Sequence, residues 1–257
     1  MSDSSPISDQ TFLAFGVRFR VLAPANLWQL LKSHLPPGTR ISSAQLAQRE
    51  YSLDEADGIY RLKVGGEVLR ESENLTHVGE AFESELQIHV AEYSPRRVFV
   101  HAGVVGWNHS ALIFPGRSFQ EKSTLVAALI QADAIYYSDE YAVFDGAGRV
   151  HPYPRDLSLR QKIGVTRKVS ARELNANTER KPIAVGAIFV CRFEENAMWN
   201  PRKLSPGEAF LALLDNTVAA RSRTREAMHV LEKVAAAAEA YQSARGEAET
   251  IISKILK

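Results

Sequence analysis

The chain has 257 residues, 45% hydrophobic and 24% charged, an ordinary balance for a globular protein and enough chain for one large domain or two small ones. A formal net charge of +1 supplies no bulk basic field to draw nucleic acid, and a lone cysteine, Cys191, excludes an intrachain disulfide framework and a Cys-rich zinc site. The polar residues 1–10 lack the basic-then-apolar order of a signal peptide, and no apolar run approaches the roughly 18 residues of a membrane span. The expectation is a cytoplasmic protein with no membrane partner.

Phe12 to Leu22 alternates in part (Phe15, Val17, Phe19 and Val21 on one side) and reads as a strand. Asn26 to Leu35 suits a short helix with Leu27, Leu30, Leu31 and Leu35 on one face, ended by Pro36-Pro37-Gly38. Ala47 to Leu53, Ile59 to Val64 and Glu67 to Glu71 read as strands, with Gly65-Gly66 a tight hairpin signal. Glu73 to Tyr93 is a long helical stretch with its stripe at Leu75, Val78, Phe82, Leu86 and Val90. A boundary is expected near Ser94 to Arg97, giving regions 1–95 and 96–257.

The second region opens with a β-rich run, Arg97 to Trp107, a turn at Asn108-His109 and a strand over Ala111 to Phe114. Lys122 to Gln131 reads as a helix. Ile135 to Phe144 is strand-like, broken by Ser138-Asp139-Glu140, and Pro182 to Phe193 is a buried strand. After Pro206 the sequence predicts only helices, at Gly207 to Arg221, Arg223 to Ala244 and Glu247 to Leu256. Mixed helices and strands point to an α/β or α+β protein.

Between an apolar strand and an apolar helix stand Gly116-Arg117-Ser118-Phe119-Gln120-Glu121-Lys122-Ser123-Thr124. This is the setting and nearly the pattern of a phosphate-binding loop, G-x-x-x-x-G-K-[ST]. Backbone N–H groups of such a loop wrap phosphate oxygens, the lysine faces the outer phosphates and the serine hydroxyl ligates magnesium. Glu121 stands in place of the second glycine. A side chain there crowds the phosphates, and its charge repels them by about 4 kcal/mol at ~4 Å for an effective dielectric of ~20. His101 precedes the loop in a strand, and Asp139-Glu140 follow it at the end of the next strand. Taken singly, His101 also fits a hydrogen-bonded core histidine, Asp139-Glu140 a strand-end turn, and Arg155 and Arg160 either solvated side chains or phosphate contacts.

Together, His101-Ala102-Gly103, Gly116, Lys122-Ser123-Thr124-Leu125 and Ser138-Asp139-Glu140 resemble the HPr kinase/phosphorylase family, and more distantly the ATP-dependent PEP carboxykinases. Gly148 to Arg155 and Leu157 to Arg160 resemble the branch of HPr-kinase-related proteins. The resemblance implies an α/β fold with a P-loop kinase core like the HPr kinase C-terminal domain, preceded by a smaller α+β region. It implies ATP and Mg²⁺ as cofactors, with Gly116 to Thr124 (Arg117, Ser118, Phe119, Gln120 and Glu121 included) around the phosphates. Lys122 then contacts the outer phosphates, Ser123, Asp139 and Glu140 serve the metal, Asp139 is the general base and His101 tunes its charge. The implied activity is phosphoryl transfer to a hydroxyl, most simply a serine of a protein or peptide, in a protein that assembles into homo-oligomers. No counterpart of the loop that performs phosphorolysis and grips HPr is found after Pro206. The alternative is a nucleotide-binding pseudokinase, a partner module in a peptide-modification or export system, which Glu121 favours.

Overall fold

The computed structural model describes residues 6–116, 122–160 and 166–257. They fall into two compact units, one ending at Arg96 and the other running from Arg97 to Lys257. Both mix helices with sheet, so the chain is of the mixed α/β class.

The first unit opens with β1 (Ile7–Ala14) and β2 (Val17–Pro24), paired antiparallel with Ala14 opposite Val17. The single strand expected over Phe12 to Leu22 is therefore two. The chain reverses at Phe15 and Gly16, whose φ values of 48° and 90° make the two-residue turn that suits the twist of a hairpin. Gly16 is required twice over, since a Cβ there would lie 2.9 Å from the Pro95 ring. α1 (Ala25–Ser33) buries Leu27 and Leu31. After β3 (Arg40–Ile41), β4 (Arg49–Ala56) lies parallel to β2. β5 (Ile59–Val64) and β6 (Glu67–Ser72) form the hairpin that Gly65-Gly66 announces. The sheet order is β3-β1-β2-β4-β5-β6. α2 (Leu75–Tyr93) is capped by Asn74, which accepts from the Thr76 N–H. It buries Val78, Phe82, Leu86 and Val90, with Phe82 edge-on to Tyr51 at 5.3 Å.

The second unit opens with β7 (Val98–Trp107) and β8 (Ser110–Pro115), joined through Asn108 and His109, both at positive φ. α3 (Lys122–Gln131) has the bounds expected from the sequence. β9 (Ile135–Ser138) and β10 (Tyr141–Phe144) both pair antiparallel with β7. β11 (Val150–His151) extends β10, and β12 (Leu157–Arg160) with β13 (Thr166–Val169) makes a separate ribbon. β14 (Val185–Phe193) lies parallel to β8. β15 (Arg202–Lys203), α4 (Pro206–Leu214) and α5 (Thr224–Ala237) follow, then β16 (Glu239–Arg245) and α6 (Ile252–Ile255). α4 begins with a capping box between Ser205 and Glu208.

The all-helical ending is corrected by β16. Glu239 to Arg245 consists largely of good helix formers, and local propensity points to a helix. Here it instead fills the gap between β14, to which it is parallel, and β15. Two backbone ladders outweigh a propensity difference of a few tenths of a kcal/mol per residue.

The main sheet runs β11-β10-β7-β8-β14-β16-β15. Successive residues of β8 and β14 point to different cores. Ile113 and Ile188 join α4 and α5, while Phe114 and Phe189 join α3 and α6. The sheet is thus covered on both faces, which explains the unbroken apolar runs of its central strands.

Candidate functional site

The site is assembled at one end of the main sheet by backbone hydrogen bonds. The Gly116 N–H donates to His101 O at 3.0 Å, the Ala102 N–H to Glu140 O at 3.2 Å, and the His101 N–H to Asn216 O at 2.8 Å. These three bonds tie together β7, the end of β8, the β9–β10 turn and the chain beyond α4. Lys122 and Ser123 form the first turn of α3, the end of the helix whose dipole favours an anion.

α3 lies close over β7 because residue 103 is glycine. A Cβ at Gly103 would stand 2.6 Å from Val126 Cγ2 and 4.0 Å from Lys122 Cβ. That close approach lets the first turn of α3 meet the β9–β10 turn. The Ser123 hydroxyl donates to Asp139 Oδ2 at 2.6 Å. The turn itself is held by Ser138 Oγ, which accepts from the Glu140 and Tyr141 N–H groups.

Asp139 is 8% exposed, and its second oxygen, Oδ1, is buried and accepts no hydrogen bond among the described residues. Burial pushes its carboxyl pKa up to about 7. The Ser123 hydroxyl, the Lys122 ammonium and the Ser158 amide, which does not reach hydrogen-bond geometry, pull it back, while the Glu140 charge adds to the rise. The Lys122 ammonium is lowered by burial, against the attraction of Asp139 and Glu140. A buried carboxylate, a serine hydroxyl and a lysine share one spot at a helix N-terminus.

His101 and Asp139 have different immediate neighbours. The carboxylate nearest the His101 ring is that of Glu140, Oε1 to Nδ1 at 3.5 Å, and the ring leans on Tyr141 with centroids 4.7 Å apart. Thr124 is half-buried on α3. Arg117, Ser118, Phe119, Gln120 and Glu121 lie outside the described residues, as does the Arg160 side chain. Arg155 is half-buried beside the site. Its carbonyl accepts from the Tyr136 hydroxyl at 2.6 Å, and burial lowers its pKa to about 10.

Tyr136, Ser158 and Asn216 belong to this site and are not legible as such in the sequence. They reach it by tertiary placement, with no spacing that announces them. No three His, Cys, Asp or Glu side chains gather as a metal cage among the described residues. The Ser123–Asp139 pair does fit magnesium bound the way nucleotide sites bind it, through one carboxylate and one hydroxyl, with phosphate and water oxygens completing the shell. No helix among the described residues is long and apolar enough to cross a membrane. Compared with known proteins, the chain matches no family model and none of the curated sequences.

Proposed function

We propose that the protein is an ATP- and Mg²⁺-dependent phosphotransferase with a P-loop kinase core of the HPr-kinase type, acting on a hydroxyl, most simply a serine of a protein or peptide. The observation that carries this reading is the buried Asp139 carboxylate, held by Ser123 at 2.6 Å and attracted by Lys122 at the start of α3. Its Oδ1 has no partner among the described residues and is placed to take a proton or to share a metal. The order of Gly116, Lys122, Ser123 and Asp139 in the sequence supports the same reading.

In the proposed reaction, Asp139 takes the proton from the acceptor hydroxyl as that oxygen bonds to the γ-phosphorus. The bond to the β-phosphate oxygen breaks and ADP leaves. Lys122 and the N–H groups at the head of α3 stabilise charge spread over the γ-phosphoryl oxygens. Ser123 and Asp139 would hold magnesium, which would supply charge neutralisation to the phosphates. A pKa of about 7 suits a base at neutral pH, since a useful fraction is ionised and still basic.

The test is titration calorimetry with Mg·ATP, together with transfer of labelled phosphate to a panel of serine peptides. Lys122→Ala is expected to weaken nucleotide binding at least tenfold, about 1.4 kcal/mol, and to abolish transfer with unchanged far-ultraviolet circular dichroism. Equal nucleotide affinity in both proteins removes Lys122 from the phosphate site. A second reading rests on Glu121, which stands where such loops have glycine. Binding without transfer to any acceptor favours a non-catalytic nucleotide-binding module.

A further inference from the structure

A cleft of about 620 Å³ opens at the same end of the sheet as Gly116, with Pro115, the last residue of β8, in its wall. We infer that this cleft, between α4 and the carboxyl ends of β14 and β16, is the pocket for the nucleoside of the phosphate donor, whose phosphates lie at the head of α3. The inference rests on the phosphate-site reading and adds to it where the other end of the donor goes.

Position comes first. β8, β14 and β16 are consecutive parallel strands, and open α/β sheets take ligands outside the carboxyl ends of such strands. The cleft also shares a rigid part with the phosphate site. Asn216 lines it and accepts the His101 N–H through its backbone carbonyl. The volume falls within the roughly 300–1,000 Å³ of small-molecule sites.

Chemistry comes second. Leu204, Leu211 and Ala212 give an apolar wall suited to the face of a base, and Leu211 stays 56% exposed although it is a leucine. The arginines in the lining are matched by acids, Arg192 by Glu194 and Arg202 by Glu208. The cleft therefore does not suit the triphosphate, which leaves it the nucleoside end.

The experiment is calorimetry of the full chain with Mg·ATP and Mg·tripolyphosphate, the latter having phosphates and no nucleoside. ATP is expected to bind tighter than tripolyphosphate by roughly tenfold or more. Ala212→Trp fills the cleft and is expected to remove the advantage of ATP while tripolyphosphate affinity holds. Leu211→Ala, at an exposed position that does not threaten folding, is expected to weaken ATP about fivefold with the same tripolyphosphate affinity. Tripolyphosphate binding as well as ATP, or both variants leaving ATP affinity intact, overturns the nucleoside pocket and leaves the phosphate site standing. If wild type binds neither, the phosphate reading fails and the pocket fails with it.

Discussion

Burying a carboxyl group penalises its charged form, and Asp139 pays that penalty with one of its two oxygens unpartnered among the described residues. In the unfolded chain an aspartate ionises near pH ~4. In the folded protein Asp139 holds its proton to about 7. Between these values the unfolded state has released a proton that the folded state keeps. The contribution of Asp139 to stability therefore falls as pH rises through this window and levels off above it. Asp139→Asn removes the titration with little change of shape. Relative to wild type, the variant is expected to gain roughly 2 kcal/mol of stability between about pH 5 and about pH 8. Urea unfolding of both proteins at the two pH values measures this, and a pH-independent difference places the Asp139 pKa outside the window. In the proposed reaction the same substitution is expected to lower phosphoryl transfer by about 10²–10⁴-fold, because it removes the proposed proton acceptor. A more stable and less active variant is the mark of a residue kept for chemistry at a cost in stability.

At the scale of elements, the site depends on how closely α3 lies over β7, and Gly103 sets that distance. In Gly103→Ala the new methyl meets a stiff β-branched side chain, Val126, at 2.6 Å, and relief requires the first turns of α3 to move. A loss of about 1–3 kcal/mol is expected, the usual range for overpacking, together with weaker Mg·ATP binding as Ser123 shifts from Asp139. Val126→Ala in the same chain removes the opposing methyl and is expected to restore part of both. A double-mutant cycle with no coupling between positions 103 and 126 rejects this account. Gly103 also marks what the sequence makes legible. Periodicity predicts α2 because one face of it is apolar, and Gly65-Gly66 and Asn108-His109 predict their turns by backbone requirement. Phe15-Gly16 is the same kind of turn, hidden because apolar alternation continues through it. β16 is hidden for the opposite reason: its residues favour a helix, and only the ladders to β14 and β15 make it a strand. Of the candidate site, Lys122, Ser123 and Asp139 stand out in the sequence because the pattern they resemble names their types and order. Tyr136, Ser158 and Asn216 are not, since they are recruited by folding alone.

At the scale of the whole molecule, every described residue of the candidate site lies in the second unit, between His101 and Asn216. The first unit carries its own apolar core around Phe19, Tyr51 and Phe82, each no more than 0% exposed. A ligand stabilises the part of a protein it binds when folded, by about 2.7 kcal/mol at ~100 times its dissociation constant. Local opening free energies differ along a chain, so the gain is read segment by segment in amide exchange. With Mg·ATP at that excess, slower exchange is expected in β7, in the first turns of α3 and in the β9–β10 turn. β14 and β16 are expected to slow as well if the nucleoside occupies the cleft at their carboxyl ends. The strands Ile7–Ala14 and Val17–Pro24 and the helix Leu75–Tyr93 are expected to exchange as before. Tripolyphosphate in place of ATP separates the two parts of the footprint, because it protects the head of α3 without reaching β14 and β16. Protection centred in the first unit places the ligand there and removes the Ser123–Asp139 pair from nucleotide binding.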